Sequence, residues 1–194
     1  ANDLHDEVGS TLGSIALNAE VLSRRPDTDA AGERLKQMAD RAREASQTMR
    51  DLVWVVDHRT DDSVNLLERL RSSAADLLGE KNYRFEVPEP FPRVSLSPEQ
   101  KRHLLLFLKE ALHNVLRHAE AEEIVIHFDL EDSQWRLSVE DDGRGFEFDA
   151  DDHEQLDRLR SRARKLDGRL EVVSGPGEGT RIEILAPLKG GQHA

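Results

Sequence analysis

Apolar residues recur every three or four positions through residues 4–22 and again through residues 35–56, which is the spacing of one face of an α-helix. Pro26 separates the two stripes, because proline cannot donate a backbone hydrogen bond within a helix. The pattern predicts two amphipathic helices that form an antiparallel hairpin. We expect the hairpin to bury its single apolar face by dimerising into a four-helix bundle; packing on the rest of the chain is the alternative. The second stripe contains Leu35, Met38, Ala42, Ala45, Met49, Leu52 and Val56.

The pattern changes to short strands and helices after the polar residues 58–63. Ser97, Pro98 and Gln100 have the order of an N-cap, a proline at N1 and a capping-box residue, so a helix is expected to begin there and to end near Ala119. We predict an α+β chain with a helical hairpin in residues 1–62 and a sandwich with a mixed sheet in residues 63–194. The other predicted elements are helices at 64–78 and 156–166 and strands at 83–87, 124–130, 135–140, 170–173 and 181–185.

Composition excludes several classes of protein. The 194 residues are 37% hydrophobic and carry a formal net charge of −12, so binding to nucleic acid is disfavoured. No apolar run is long enough to span a membrane, and the absence of cysteine excludes disulfides and thiolate chemistry. Because the chain begins with Ala1 and has no signal-peptide pattern, we expect a cytoplasmic fragment of a longer protein.

Two motifs have the residue types of a nucleotide site. Asp141 ends a predicted strand and is followed by Gly143 and Gly145, so its carboxylate could accept a hydrogen bond from an exocyclic amine while the glycines let the backbone turn tightly. Glu110 and Asn114 share one face of a helix, and their oxygens suit Mg²⁺. An ordinary Asp-Gly turn and a solvated helix face are the structural alternatives.

Two further motifs complete the set. The segment from Gly175 to Thr180 has more glycine than a hairpin turn needs, and close approach of backbone donors to phosphates would explain the surplus; a flexible hairpin is the alternative. His5 lies at the edge of the first apolar stripe and is followed by Asp6. An imidazole there could act as a nucleophile oriented by the neighbouring carboxylate, although a surface histidine without function has the same appearance.

The order of these motifs resembles the cytoplasmic core of a two-component sensor histidine kinase, of the subfamily with a Leu-His-Asp phosphoacceptor segment. The resemblance extends from Asn2 to Leu188. It implies a Bergerat-type ATP-binding domain, ATP and Mg²⁺ as cofactors, a homodimer, and a response regulator, often of the NarL type, as partner. The implied activity is ATP-dependent autophosphorylation of a histidine, followed by transfer to an aspartate of the regulator.

The resemblance also implies a role for each motif residue. His5 would be the phosphoacceptor and Asp6 its orienting or proton-accepting neighbour. Asn114 would bind Mg²⁺, with the catalytic candidate Glu110 on the same face, and Asp141 would recognise adenine. Gly143 and Gly145 would shape the adenine pocket. The remaining candidates, all expected near the phosphates, are Lys109, Arg117, His118, Gly177, Gly179 and Thr180.

This sequence departs from the family pattern at two places. Ser10 stands where members with phosphatase activity commonly have Gln, so weak or absent phosphatase activity is expected. The lid segment around Leu156 lacks the usual glycines, which would alter lid mobility or nucleotide affinity. Two rival functions are a Bergerat-fold ATP hydrolase that uses Glu110 to activate water, and an inactive dimerisation or partner-binding module.

Overall fold

The chain divides into two compact units, Ala1–Val56 and Asp57–Ala194. The structure, a computed structural model, describes residues 62–147 and 154–188 of the second unit. In the first unit it describes six residues, all of them helical: Met38, Ala42, Met49, Asp51, Trp54 and Val55. Across these described parts, no helix has the length and apolar character needed to cross a membrane.

The second unit is a mixed α+β domain, as the sequence predicts. Its helices are α1 (Ser63–Leu78), α2 (Pro98–Asn114), a π-helical turn (Val115–Ala119) and α3 (Glu154–Lys165). Its strands are β1 (Asn82–Glu86), β2 (Glu123–Glu131), β3 (Gln134–Asp141), β4 (Arg169–Ser174) and β5 (Thr180–Pro187). The bounds differ from the predicted ones by at most two residues, except that the helix expected to end near Ala119 is divided between α2 and the π-helical turn.

The capping box predicted at the start of α2 is present. The Ser97 hydroxyl accepts a hydrogen bond from the Gln100 backbone N–H at 3.2 Å, and the Gln100 side-chain oxygen accepts one from the Ser97 N–H at 3.2 Å. Two N–H groups that the first helical turn leaves without partners are thereby satisfied. Gln100 also donates to the Pro187 carbonyl oxygen at 3.3 Å, which ties the helix start to the end of β5.

The five strands form one sheet in the order β1-β2-β3-β5-β4, with β1 parallel to β2 and every other pair antiparallel. The mixed sheet that the sequence predicts is therefore confirmed. At one end of the ladder Asp141 pairs with Thr180. The pairing brings the end of β3 beside the start of β5, where two of the predicted motifs meet.

The core lies between the helices and one face of the sheet. Ile124, Ile126 and Phe128 alternate with less buried residues along β2, which is the period-2 pattern of a strand with one buried face. Phe128 stacks on Trp135 with ring centroids 5.2 Å apart, and both side chains are fully buried. Helix α2 packs on β3, α3 packs on β4 and β5, and α1 packs on α2. Each large apolar side chain buried in this way contributes about 1.5–3 kcal/mol.

The helix predicted to end near Ala119 changes character before it ends. From Val115 the backbone forms a π-helical turn, and Glu120 follows in the left-handed conformation with φ 55°. Single π-helical turns are rare and occur frequently at functional sites. Here the turn brings Val115, His118 and Ala119 beside Asn114 on one wall of a cavity.

Candidate functional site

A cavity of about 240 Å³ lies between the end of α2, its π-helical turn, the end of β3 and the start of β5. Five of the residues predicted from the sequence line it: Asn114, His118, Asp141, Gly145 and Thr180. The other described lining residues are Val115, Ala119, Arg144, Phe146, Leu156 and Ile182. Most of these are apolar, so a flat aromatic group can be buried among them while the polar residues fix its orientation.

Asp141 is the buried carboxylate of the cavity, only 6% exposed. Burial raises the pKa of its carboxyl group, and hydrogen bonds from the backbone N–H groups of Gly143 and Thr180 oppose the rise. The Gly143 N–H donates to Asp141 Oδ1 at 3.0 Å, which holds the side chain in one orientation. Because a carboxylate offers about four acceptor sites, the group can still accept a hydrogen bond from a ligand beside these two.

The glycines in the loops that follow β3 and β4 allow backbone to pack on backbone inside the protein. A side chain at Gly143 would clash with the carbonyl oxygen of Ala119, and one at Gly145 would clash with that of Gly175. A side chain at Gly179 would clash with the carbonyl oxygen of Asp141. The close approach at Gly179 is to the strand that carries Asp141, so this glycine has a packing role within the protein. The approach of the hairpin to phosphates stays a prediction.

Gly177 differs from its neighbours, because a side chain there would meet open space. Its N–H donates to the Arg144 carbonyl oxygen at 2.7 Å, so this backbone donor is engaged within the protein. Ser174 joins the same two loops through its hydroxyl, which accepts from the Phe146 N–H and donates to the Gly179 carbonyl oxygen, both at 3.0 Å. Gly143, Gly177 and Gly179 lie outside the cavity lining and support its walls.

Asn114 is the described residue best placed to hold a divalent cation. It lines the cavity at the end of α2, and an amide oxygen is a suitable ligand for Mg²⁺. The part of the chain that the structure describes contains no group of three or more His, Asp or Glu side chains arranged for a metal. Asn114 as a single protein ligand fits an ion that takes most of its other ligands from phosphates and water, as Mg²⁺ usually does.

Three predicted residues near Asn114 do not line the cavity: Lys109, Glu110 and Arg117. Glu110 lies one helical turn before Asn114, and its Oε1 is 3.7 Å from Nη1 of Arg158 on α3. The structure therefore directs this carboxylate towards α3. Arg117 is exposed on the π-helical turn, whereas its neighbour His118 lines the cavity.

None of the other six lining residues was among the predicted site residues. Arg144 stands between two glycines of a motif, and Ile182 has the strand parity of Thr180, so each carried a signal. Asp142 also has a role that was not predicted. Its Oδ1 accepts from the N–H groups of Glu122 and Glu123, both at 2.9 Å, and these hydrogen bonds lower the pKa of its carboxyl group.

The phosphoacceptor candidates His5 and Asp6 lie outside the described residues, as does Ser10. The described geometry therefore concerns the second unit alone. A mixed sheet covered by helices, with a strand-end carboxylate and an asparagine on the walls of one cavity, defines a Bergerat-type ATP-binding domain.

Comparison with known proteins agrees with this class. Residues 1–62 match a family model described as "Histidine kinase", and residues 99–190 match one described as "Histidine kinase-, DNA gyrase B-, and HSP90-like ATPase". The two segments together match the cytoplasmic core of two-component sensor histidine kinases. The sensor histidine kinase LiaS of Bacillus subtilis is 31% identical over 194 residues, which is 97% of this chain and 53% of LiaS.

Other relatives extend the likeness. The sensor protein VraS of Staphylococcus saprophyticus is 25% identical over 191 residues, which is 97% of this chain and 54% of VraS. This chain thus spans about half the length of the relatives it matches. Among solved structures, the Acinetobacter baumannii histidine kinase AdeS has a TM-score of 0.60 at 15% identity, over 96% of this chain and 98% of AdeS. The histidine kinase domain of the Erythrobacter litoralis EL346 blue-light activated histidine kinase has a TM-score of 0.59 at 20% identity, over 96% and 93%. These structural likenesses support the fold.

Proposed function

We propose that the chain is an ATP-dependent histidine autokinase that phosphorylates His5 and passes the phosphoryl group to an aspartate of a response regulator. The observation that carries the proposal is the cavity at Asp141, which lies in an ATPase-like domain that follows a segment matching histidine kinases. A nitrogen of the His5 imidazole attacks the γ-phosphorus of ATP. The bond from that phosphorus to the bridging oxygen breaks, and ADP leaves with the bond electrons. Asp6 orients the imidazole and accepts its proton.

The described residues suit the binding of adenine. Phe146, Leu156 and Ile182 provide apolar walls, and Asp141 accepts a hydrogen bond from the amino group of the base. Because the Asp141 carboxylate is already fixed by the Gly143 N–H, little side-chain entropy is lost when the base binds. Gly145 and Thr180 complete this part of the cavity.

Asn114 would hold Mg²⁺ through its amide oxygen. When bound, the ion would neutralise charge on the phosphates, which is the main electrostatic requirement of phosphoryl transfer. His118, on the same wall, is placed to donate a hydrogen bond to the ligand. Lys109 and Arg117 lie outside the lining, so a contribution from them requires their side chains to reach the phosphates beyond the cavity.

We further propose that residues 1–62 form the dimerisation and phosphotransfer hairpin and residues 63–194 the catalytic domain. Met49, which belongs to the predicted apolar stripe of the hairpin, is 55% exposed in the single chain, and a second copy would cover it. The partner would be the receiver domain of a response regulator, of the NarL type according to the family resemblance. A fragment that uses ATP and such a regulator would work in the cytoplasm, without direct contact to nucleic acid.

The hydrolase alternative depends on Glu110 as the base that activates water. The pairing of its carboxylate with Arg158 at 3.7 Å and its position outside the cavity lining both speak against that role. We therefore retain the kinase as the single proposed function. The inactive-module alternative is addressed by the labelling experiment below.

Incubation of the purified chain with γ-labelled ATP and Mg²⁺ tests the proposal. We expect protein-bound label that is labile to acid and stable to alkali, as a phosphohistidine is. His5→Gln should abolish the label and leave ATP binding intact, whereas Asp141→Asn should weaken ATP binding. Release of free phosphate with no label on the protein would support the hydrolase instead. Label that persists in His5→Gln would refute the site assignment, and no reaction at all would support the inactive module.

The same preparation tests the expectation at Ser10. With a phosphorylated response regulator added, the wild-type chain should accelerate dephosphorylation little or not at all, because serine cannot present an amide to the attacking water. Ser10→Gln should raise the rate. Rapid dephosphorylation by the wild type that Ser10→Ala removes would contradict the expectation.

A further inference from the structure

Arg144 is the only lysine or arginine among the described residues that line the cavity. The described part of the lining contains one carboxylate, Asp141, and one histidine, His118. A nucleoside triphosphate brings several negative charges to this site, so a permanently charged side chain in the lining contributes more to its binding than a neutral hydrogen-bond donor.

The backbone of Arg144 is fixed from both sides. Its N–H donates to the Ala119 carbonyl oxygen at 2.8 Å, and its carbonyl oxygen accepts from the Gly177 N–H at 2.7 Å. The residue is thus held between the π-helical turn and the glycine hairpin. Any response of Arg144 to a ligand is therefore a movement of its side chain.

Among the described residues, that side chain has one weak ion-pair partner. Nη1 of Arg144 lies 3.7 Å from Oε1 of Glu120, and the two side chains are 60% and 82% exposed. An exposed pair at this distance contributes little to stability, because water competes for both charges. The guanidinium group can therefore exchange Glu120 for a ligand at small cost.

The cavity encloses only part of a nucleotide. Its volume of about 240 Å³ is below the roughly 300–1,000 Å³ of sites that enclose a whole drug-sized ligand. The buried Asp141 and the apolar walls suit the base, which leaves the phosphates to the solvent-exposed part of the lining, and Arg144 is one of its exposed residues. Guanidinium groups bind phosphate oxygens through two parallel hydrogen bonds, which favours this pairing over the single contact with Glu120.

We propose that Arg144 binds the phosphate chain of the nucleotide, and that Glu120 competes with the phosphates for its guanidinium group. The proposal rests on the proposed function, because it assumes that ATP occupies the cavity. The pair would tune the affinity for nucleotide. Arg144 increases that affinity, whereas Glu120 limits it and so favours release of the product.

Binding of ATP, ADP and adenosine, measured by calorimetry on the full chain, tests the proposal. Arg144→Gln should weaken ATP binding about tenfold, since a charge-assisted hydrogen bond is lost, and should leave adenosine binding unchanged. Glu120→Gln should strengthen ATP binding about two- to threefold, which matches the small energy of an exposed pair. In the Arg144→Gln background, Glu120→Gln should have no effect. Arg144→Lys should retain part of the preference for ATP over adenosine.

A matched pair elsewhere provides the control. Arg169 and Glu171 on β4 form an exposed ion pair at 2.7 Å outside the cavity lining, so Arg169→Gln and Glu171→Gln make the same charge changes away from the ligand. Both should leave all three affinities unchanged. If Arg144→Gln behaves like Arg169→Gln, or weakens ATP and adenosine equally, the phosphate contact is refuted while ATP binding stands. If the wild type binds none of the three ligands, the proposed function itself fails.

Discussion

Gly179→Ala should destabilise the catalytic domain far more than the same change two residues earlier. Gly179 has φ +73°, a conformation that costs an alanine about 1–2 kcal/mol. Its new Cβ would also clash with the backbone carbonyl oxygen of Asp141, and relief of such overpacking costs about 1–3 kcal/mol. The expected loss in the free energy of unfolding is therefore about 2–5 kcal/mol, a large part of the roughly 5–15 kcal/mol typical of a domain.

Gly177→Ala is the matched control. Gly177 has φ +79° in the same hairpin, but a Cβ there would meet open space. Gly177→Ala should therefore lower the free energy of unfolding only by the conformational cost, about 1–2 kcal/mol. The difference between the two variants isolates the contact between the hairpin and the strand end that carries Asp141.

Trp135 provides the assay, because it is fully buried in the sheet and the chain has only one other tryptophan, Trp54. Urea unfolding followed by fluorescence in a Trp54→Phe background would report the second unit alone. Because displacement of the Asp141 backbone also moves its carboxylate, Gly179→Ala should weaken adenosine binding as well. Equal destabilisation by the two alanines would refute the inference that hairpin and strand are in tight contact.

Three further predictions concern stability. Asp141→Asn should raise the free energy of unfolding at pH 7, because burial raises the pKa of the Asp141 carboxyl group and its charge therefore disfavours the folded state; urea titrations should show the gain shrinking as pH falls towards 3.8. Asp142→Asn should lower the free energy of unfolding at pH 7, since hydrogen bonds lower the pKa of the Asp142 carboxyl group in the folded state. Urea titrations should show the wild type more stable above pH 3.8, and this advantage should disappear as pH falls through the lowered pKa of the folded state. Ser97→Ala should cost about 1 kcal/mol by removing the cap of α2, and Ser72→Ala on the exposed face of α1 should cost little in the same assay.

Local patterns predicted the elements of the second unit because each pattern has a local physical cause. Alternation along β2 gave a strand with one buried face, and the order of Ser97, Pro98 and Gln100 gave the start of α2. The mixed sheet was also predicted. The π-helical turn after Asn114 was not, because its two buried residues, Val115 and Ala119, are four positions apart, a spacing that an α-helix has as well.

The site was predicted in part, and the division follows from the kind of evidence available. Asn114, Asp141 and Thr180 are marked by residue types that suit a ligand, and they line the cavity. Glu110 is marked in the same way but lies beside Arg158, and no local pattern could reveal a contact between residues 48 positions apart, the difference between 158 and 110. The spacing of glycines likewise indicated close approach without indicating what approaches.

The Asp141 loop shows why the binding residues and the supporting residues are difficult to separate by sequence. Arg144 lines the cavity, and its backbone joins Ala119 to Gly177 and so holds two loops together. Substitution of the side chain should leave those backbone bonds intact, whereas substitution of either flanking glycine should disturb them. A loss of nucleotide affinity without loss of stability therefore identifies a binding residue, and the two losses together identify a supporting one. By that criterion we expect Arg144→Gln to fall in the first group and Gly145→Ala in the second, because a Cβ at Gly145 would clash with Gly175.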